Sequence, residues 1–306
     1  MLISRLVEAA VFLAVGAILG SAQVPDGLRS AVGGNHAYDV VSNIVYKVAN
    51  NYELRLDVYH PHAVPGPIPV VMMIHGGDWI SGSKDDYIHY AGSYIATGFA
   101  VVNVECRLGK VSLAPAAVKD CQRAPRWIGV GAKQYNFDLE KMVVTGTSAG
   151  GPLAPATGMI PASTGANECA NMIPPNDAGP KLTAIINICG ITDVADLLQG
   201  PKLRTCVASW LGGQPNQEDL ASRLSPLTYA RSGGPAELTI HSDADPTVPY
   251  SHAVRLHEVL SEAGVRDQWM TVQGGGHGGF TAEQDILAFR TTRSFLESLG
   301  IRAISH

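Results

Sequence analysis

The feature that constrains this chain most is a rhythm of short apolar runs separated by stretches of helical spacing. "PVVMMIHGG" (69–77) is a continuous apolar run, "AVVNVEC" reads as another buried strand, and "KMVVTG", "LTAIINICG", "AELTIHS" and "QWMTVQG" read as further strands. Continuous runs of this kind predict strands covered on both faces. "LRLDVYHP" alternates instead, as a half-exposed strand does. Between the runs lie helix-like segments: "DDYIHYAGSYIATG", "LAPAAVKDCQRAPRWIGVGA", "AGGPLAPATGMI", "SHAVRLHEVLSEAG" and "AEQDILAFRTTRSFLESLG". Pro125 should bend the second of these, and Pro155 should distort the start of the third. Strands alternating with helices predict an α/β chain: a mostly parallel central sheet with helices on both faces. Two less regular stretches, 160–181 and 195–225, are too long for plain connections and read as lid or pocket-wall segments.

The first residues are of another kind. "MLISRLVEAAVFLAVGAILGSAQ" carries Arg5, then an apolar run to Gly20, then Gly20-Ser21-Ala22. That run is shorter than the roughly 20 residues a bilayer span needs. It reads as a cleaved secretory signal over 1–22, with the mature domain at 23–306 and no stable membrane anchor; the alternative is a buried N-terminal helix. The 306 residues suffice for one large core, and the net charge of −5 is spread out. Without a basic stripe, nucleic acid is not an expected partner.

Export permits disulfides, and five cysteines leave at least one unpaired. Cys106 and Cys189 end strand-like runs and read as buried thiols, whereas Cys169 and Cys206 lie in polar segments and form the candidate bridge. There is no C-x-x-C pair, so no thiolate zinc site is expected.

Chemistry concentrates around Ser148. Gly146-Thr147-Ser148-Ala149-Gly150 is a G-x-S-x-G motif between an apolar strand and a helix. Small neighbours allow the sharp turn that lifts a serine oxygen above a sheet edge. The following helix also points its N-terminus at the site. Serine needs a base and the base an orienting acid. Of the histidines downstream, His252 and His257 lie in an amphipathic helix, and His241 lies in a strand facing the sheet surroundings. His277, in "QGGGHGGF" after the last strand, is the one placed to reach over the sheet edge. Asp243, Asp245 and Asp193 are candidate acids, and spacing does not separate Asp243 from Asp245. "IHGGDW" (74–79) after a buried strand is a glycine loop of the kind that offers backbone N–H groups to an oxyanion.

These marks, with "LSPLTY" (224–229), "HSDADPTVPY" and "GGGHGGF", resemble the α/β-hydrolase superfamily and, within it, bacterial carboxylesterases of the feruloyl-esterase-like and hormone-sensitive-lipase-like type. The resemblance runs from about Val41 to Leu299. It implies Asp245 as the catalytic acid, oxyanion donors at the backbone of Gly77, Asp78 and Ala149, and a bracing role for His75. The chain departs from the family pattern at Asp78, where a small residue is usual, and at Cys106, where an aromatic is usual.

The expectation is therefore a secreted serine esterase acting on small-molecule short-chain or aromatic-acid esters through Ser148, Asp245 and His277, without metal or organic cofactor. Trp79, Trp210 and Tyr250 are candidate pocket walls. An amide-directed hydrolase, arylformamidase-like or peptidase, and a non-catalytic binding protein on the same fold are the rival readings. Acyl and alcohol specificity and oligomeric state are not legible.

Overall fold

A computed structural model of the protein describes residues 38–62, 64–160, 179–213 and 215–301. The leader expected over 1–22, Cys169, and the 160–181 segment apart from its ends lie outside the described residues. In chain order the regular elements begin with β1 (Tyr38–Ala49), β2 (Tyr52–Pro61), β3 (Ile68–Ile74), α1 (Ile88–Ala96), β4 (Ala100–Val104), α2 (Ala116–Tyr135), β5 (Phe137–Thr147) and α3 (Gly150–Met159). They continue with β6 (Ala184–Ile188), α4 (Thr205–Leu211), α5 (Gln217–Arg223), β7 (Ala236–Ser242), α6 (Ser251–Glu262), β8 (Asp267–Val272) and α7 (Ala282–Ser298).

The strands form one eight-stranded sheet in the order β1-β2-β4-β3-β5-β6-β7-β8. β1 pairs antiparallel with β2 and β2 antiparallel with β4. Every pairing from β4 through β8 is parallel. β3, β4 and β7 are buried along their whole length, β3 as its unbroken apolar run requires. Two apolar layers cover the faces. One packs Ile128 of α2, Leu153 of α3 and Leu256 of α6 on the sheet; the other packs Tyr94 of α1 and Phe295 of α7.

The sequence reading did not include β1. β1 is an edge strand whose alternation is interrupted by register shifts between Val41 and Ile44 and between Val45 and Lys47. Asn50 and Asn51 then take positive φ of 51° and 60°, which closes the β1–β2 hairpin tightly. The helices run through their prolines: α2 is continuous past Pro125 and α3 past Pro155. Each proline forfeits one backbone hydrogen bond, but both are buried in helices packed against the sheet, and tertiary packing outweighs the local cost.

The 195–225 segment contains α4, α5 and two short 3₁₀ turns. It is tied to α6 by Arg255, whose guanidinium reaches Asp193 at 2.6 Å and Asp196 at 3.0 Å. Among the described residues, no helix is long and apolar enough to cross a membrane.

Candidate active site

Ser148 stands at the end of β5 with φ of 56°, a left-handed conformation that a non-glycine residue rarely takes. Its N–H donates to the Ile188 carbonyl at 2.9 Å, and α3 begins two residues later. The turn exists because its neighbours lack side chains. A Cβ at Gly146 would lie 2.1 Å from the Gly150 carbonyl oxygen, and one at Gly150 would lie 2.4 Å from that of Ile74. The backbones of β3, β5 and α3 meet at distances only glycine allows.

The other polar groups arrive from neighbouring strand ends. His277 follows β8, and its Nε2 is 2.6 Å from Ser148 Oγ. Its Nδ1 is 2.7 Å from Asp245 Oδ2, on the loop after β7. Asp245 Oδ1 accepts the backbone N–H groups of Thr247 at 2.7 Å and Val248 at 2.9 Å. Burial works to raise the Asp245 carboxyl, but hydrogen bonds from His241, His277 and the Val248 N–H outweigh it and hold the group well below the ordinary carboxylate range. The acid is thus an anion fixed at both oxygens, which favours a proton on His277 Nδ1 and leaves Nε2 to face the serine hydroxyl.

The loop after β3 completes the edge. Gly77, Asp78 and Trp79 take positive φ of 111°, 57° and 59°. The Gly77 carbonyl accepts from Ile80 and Ser81 at 3.1 and 2.9 Å, which closes the turn. His75 Nδ1 donates to the Gly76 carbonyl at 2.7 Å, a brace at the base of the loop. The N–H groups of Gly77, Asp78 and Ala149 enter no turn or loop hydrogen bond among the described residues.

The remaining candidates sort themselves by contact. Asp243 accepts the Gly274 N–H at 2.7 Å and so ties the β7 and β8 loops together. Asp193 pairs with Arg255. His252 is buried, and its Nδ1 accepts the Thr192 N–H at 3.1 Å. Burial, then Arg255, push its pKa down to about 4. His241 does not merely face the sheet: it lies 3.4 Å from the Asp245 carboxylate. The four-residue step from His241 to Asp245 across a strand end was the only sequence signal for that contact.

A cavity of about 200 Å³ opens beside the site, between α1 and α7. Thr147 and Gly278, the chain neighbours of Ser148 and His277, line it together with Tyr87, Tyr90, Tyr94 and Phe280. Trp79, Trp210 and Tyr250 do not line it. Trp79 and Trp210 stack on each other at 4.3 Å between ring centroids and are almost wholly buried, which fastens the glycine loop to α4. Tyr250 packs edge-on to His241 and against Trp269, behind Asp245. Cys206 is a free thiol at the start of α4, and its candidate partner Cys169 lies outside the described residues.

A mostly parallel sheet with polar groups gathered on its carboxyl edge, the serine on a sharp strand–helix turn, defines an α/β-hydrolase. The solved structure of apo Thermogutta terrifontis esterase 2 has the same fold, with a TM-score of 0.72 and 25% identity over 88% of this chain and 97% of that one. The chain belongs to the BD-FAE family, whose model matches residues 56–260. Among curated relatives, the probable carboxylic ester hydrolase LipM of Mycobacterium tuberculosis is 26% identical over 76% of this chain and 54% of its own length. The non-reducing polyketide synthase ascC of Acremonium egyptiacum is 26% identical over 78% of this chain but 14% of its own. The chain therefore spans about half of LipM and a small part of ascC.

Proposed function

We propose that this protein is a serine carboxylesterase for small esters with a short acyl chain or a single aromatic ring. The observation that carries the reading is the unbroken relay from Ser148 Oγ to His277 at 2.6 Å and from His277 to Asp245 at 2.7 Å. LipM and esterase 2, both named for ester hydrolysis, support the same reaction class.

In this mechanism Ser148 Oγ attacks the ester carbonyl carbon as His277 Nε2 takes the hydroxyl proton. The carbonyl oxygen becomes an anion and is held by the backbone N–H groups of Gly77, Asp78 and Ala149, with the N-terminus of α3 behind them. Collapse of the tetrahedral intermediate expels the alcohol, which leaves with the proton from His277. Water then attacks the acyl-enzyme, again giving its proton to His277 Nε2. The second collapse releases the acid and returns the proton to Ser148. Asp245 stays ionised throughout and stabilises the His277 cation.

A cavity beside the turn supports the size preference. An apolar space of about 150 Å³ holds a benzene ring, and the roughly 200 Å³ next to Thr147 and Gly278 has room for one ring or a short chain. Export through the leader at 1–22 belongs to the same proposal, and the mass of the mature N-terminus tests it.

The test is hydrolysis of p-nitrophenyl esters from acetate to long acyl chains, by the protein and by Ser148→Ala in parallel. Turnover of short chains that fades with length and vanishes in Ser148→Ala is expected. Turnover that survives the substitution, or none at any length from a folded protein, would overturn the reading.

A further inference from the structure

The Asp245 carboxylate has a second imidazole on it. His241, the sixth residue of β7, is fully buried, and its Nε2 lies 3.1 Å from the Val248 carbonyl oxygen and 3.4 Å from Asp245 Oδ2. Both neighbours are acceptors, so Nε2 carries a proton whatever the charge on the ring. The shorter leg fixes the ring, and the longer one is a charge–dipole contact to the carboxylate. His241 Nδ1 has no hydrogen-bond partner among the described residues. Packing alone does not account for this residue: leucine would fill the space without stranding a nitrogen.

The contacts form a closed set. Val248 gives its N–H to Asp245 Oδ1 at 2.9 Å and its carbonyl to His241. His241 in turn faces Oδ2, the oxygen that holds His277 at 2.7 Å. Oδ1 is thus pinned by backbone and Oδ2 by two imidazoles. The titratable groups around Asp245 are His277, His241 and the Cys189 thiol after β6. Burial, then the Asp245 charge, push Cys189 up to about 12, so it remains a neutral thiol. Tyr250 and His252 face His241 from its other sides.

We propose that His241 is a positioning residue for the reaction: its Nε2–H locks the Asp245 carboxylate in the orientation that holds His277, and draws off part of the carboxylate charge. This rests on the reading of Ser148, His277 and Asp245 as the catalytic relay. Without His241, Oδ2 is free to turn away from His277, and its charge falls on His277 alone. The first effect lowers the rate, since small misplacements of a reacting group are costly. The second strengthens the pairing of the carboxylate with the His277 cation.

The test compares His241→Leu, His241→Asn and His241→Gln in the full chain. The glutamine amide N–H reaches the place of Nε2, and the shorter asparagine amide does not. For His241→Leu and His241→Asn, kcat on p-nitrophenyl acetate should fall about tenfold or more, with KM nearly unchanged. The acid limb of kcat/KM should move up by about half a pH unit. The downfield proton resonance of His277 Nδ1–H, identified by its loss in His277→Gln, should shift in both variants. His241→Gln should restore rate, limb and resonance toward wild type. An unmoved limb and resonance in folded His241→Asn, or a glutamine variant no better than asparagine, would overturn the inference. If the wild type shows no Ser148-dependent turnover, the esterase reading fails, while the resonance still decides the role of His241.

Discussion

Gly150→Ala puts two physical arguments in opposition. Gly150 is the first residue of α3, and replacing glycine by alanine in a helix ordinarily stabilises it by about 1 kcal/mol. Packing says the reverse. The new methyl would lie 2.4 Å from the Ile74 carbonyl oxygen and 2.6 Å from that of His75, where ordinary contact begins near 3.4 Å. Both obstacles are backbone, so α3 and the end of β3 must part by about 1 Å. That displacement separates Ser148 from the Gly77 and Asp78 N–H groups, which belong to the two sides being pushed apart. A misplacement of about 1 Å costs on the order of a hundredfold in rate. The expected outcome is a kcat on p-nitrophenyl acetate about a hundredfold below wild type, with KM changed far less and a thermal midpoint lowered rather than raised. The assay is steady-state kinetics beside a melting curve. A variant with wild-type kcat and a raised midpoint would refute the claim that the strand–helix crossing sets the site geometry.

Further expectations follow from the same structure. Asp245→Asn should keep the fold but lower kcat by about 10³–10⁴, because the amide no longer favours a proton on His277 Nδ1; a loss of less than tenfold would contradict the relay. Glu237, buried in β7, has its carboxyl pushed up to about 8 from 4.5 by burial. The folded form therefore keeps a proton that the unfolded chain releases above about pH 4.5, and stability falls as pH rises from there to about 8. Glu237→Gln removes that loss, so its advantage over wild type should widen between about pH 5 and pH 8 by on the order of 3 kcal/mol. Denaturant melts at both pH values check this, and a constant difference would contradict a neutral buried Glu237. Trp210→Ala should loosen the glycine loop by removing the ring stacked on Trp79, lowering kcat and the thermal midpoint together; unchanged kcat would separate the loop from α4.

The sheet was legible because its central strands are buried on both faces and cannot carry polar residues without cost. β1 was not, since its bulges break the period of two on which strand recognition depends. Ser148, His277 and the Asp243–Asp245 loop could be placed because each follows a strand, and parallel strands all deliver their carboxyl ends to one edge. The choice of Asp245 over Asp243 needed the family resemblance; in the structure Asp245 Oδ2 meets His277 at 2.7 Å, whereas Asp243 accepts the Gly274 N–H. The candidate pocket walls rested on sequence neighbourhood alone. Trp79 is next in sequence to Asp78, but backbone direction turned it inward onto Trp210. The residues that line the described cavity come from α1, α7 and the strands and loops between them, with α1 and α7 about two hundred positions apart in the chain, and no local pattern joins them. The Cys169–Cys206 bridge rested on composition alone, and Cys169 lies outside the described residues.

The central claim is that Ser148 carries the acyl group between the two halves of the reaction. It is tested most directly by quenching the protein in acid during turnover of p-nitrophenyl acetate and reading the digest by mass spectrometry. An acetyl group on the peptide containing Ser148, present in the wild type, accumulating in Asp245→Asn and absent from Ser148→Ala, is the predicted result. Rapid ester turnover with no acyl group on that peptide, or with one on a different side chain, would contradict it.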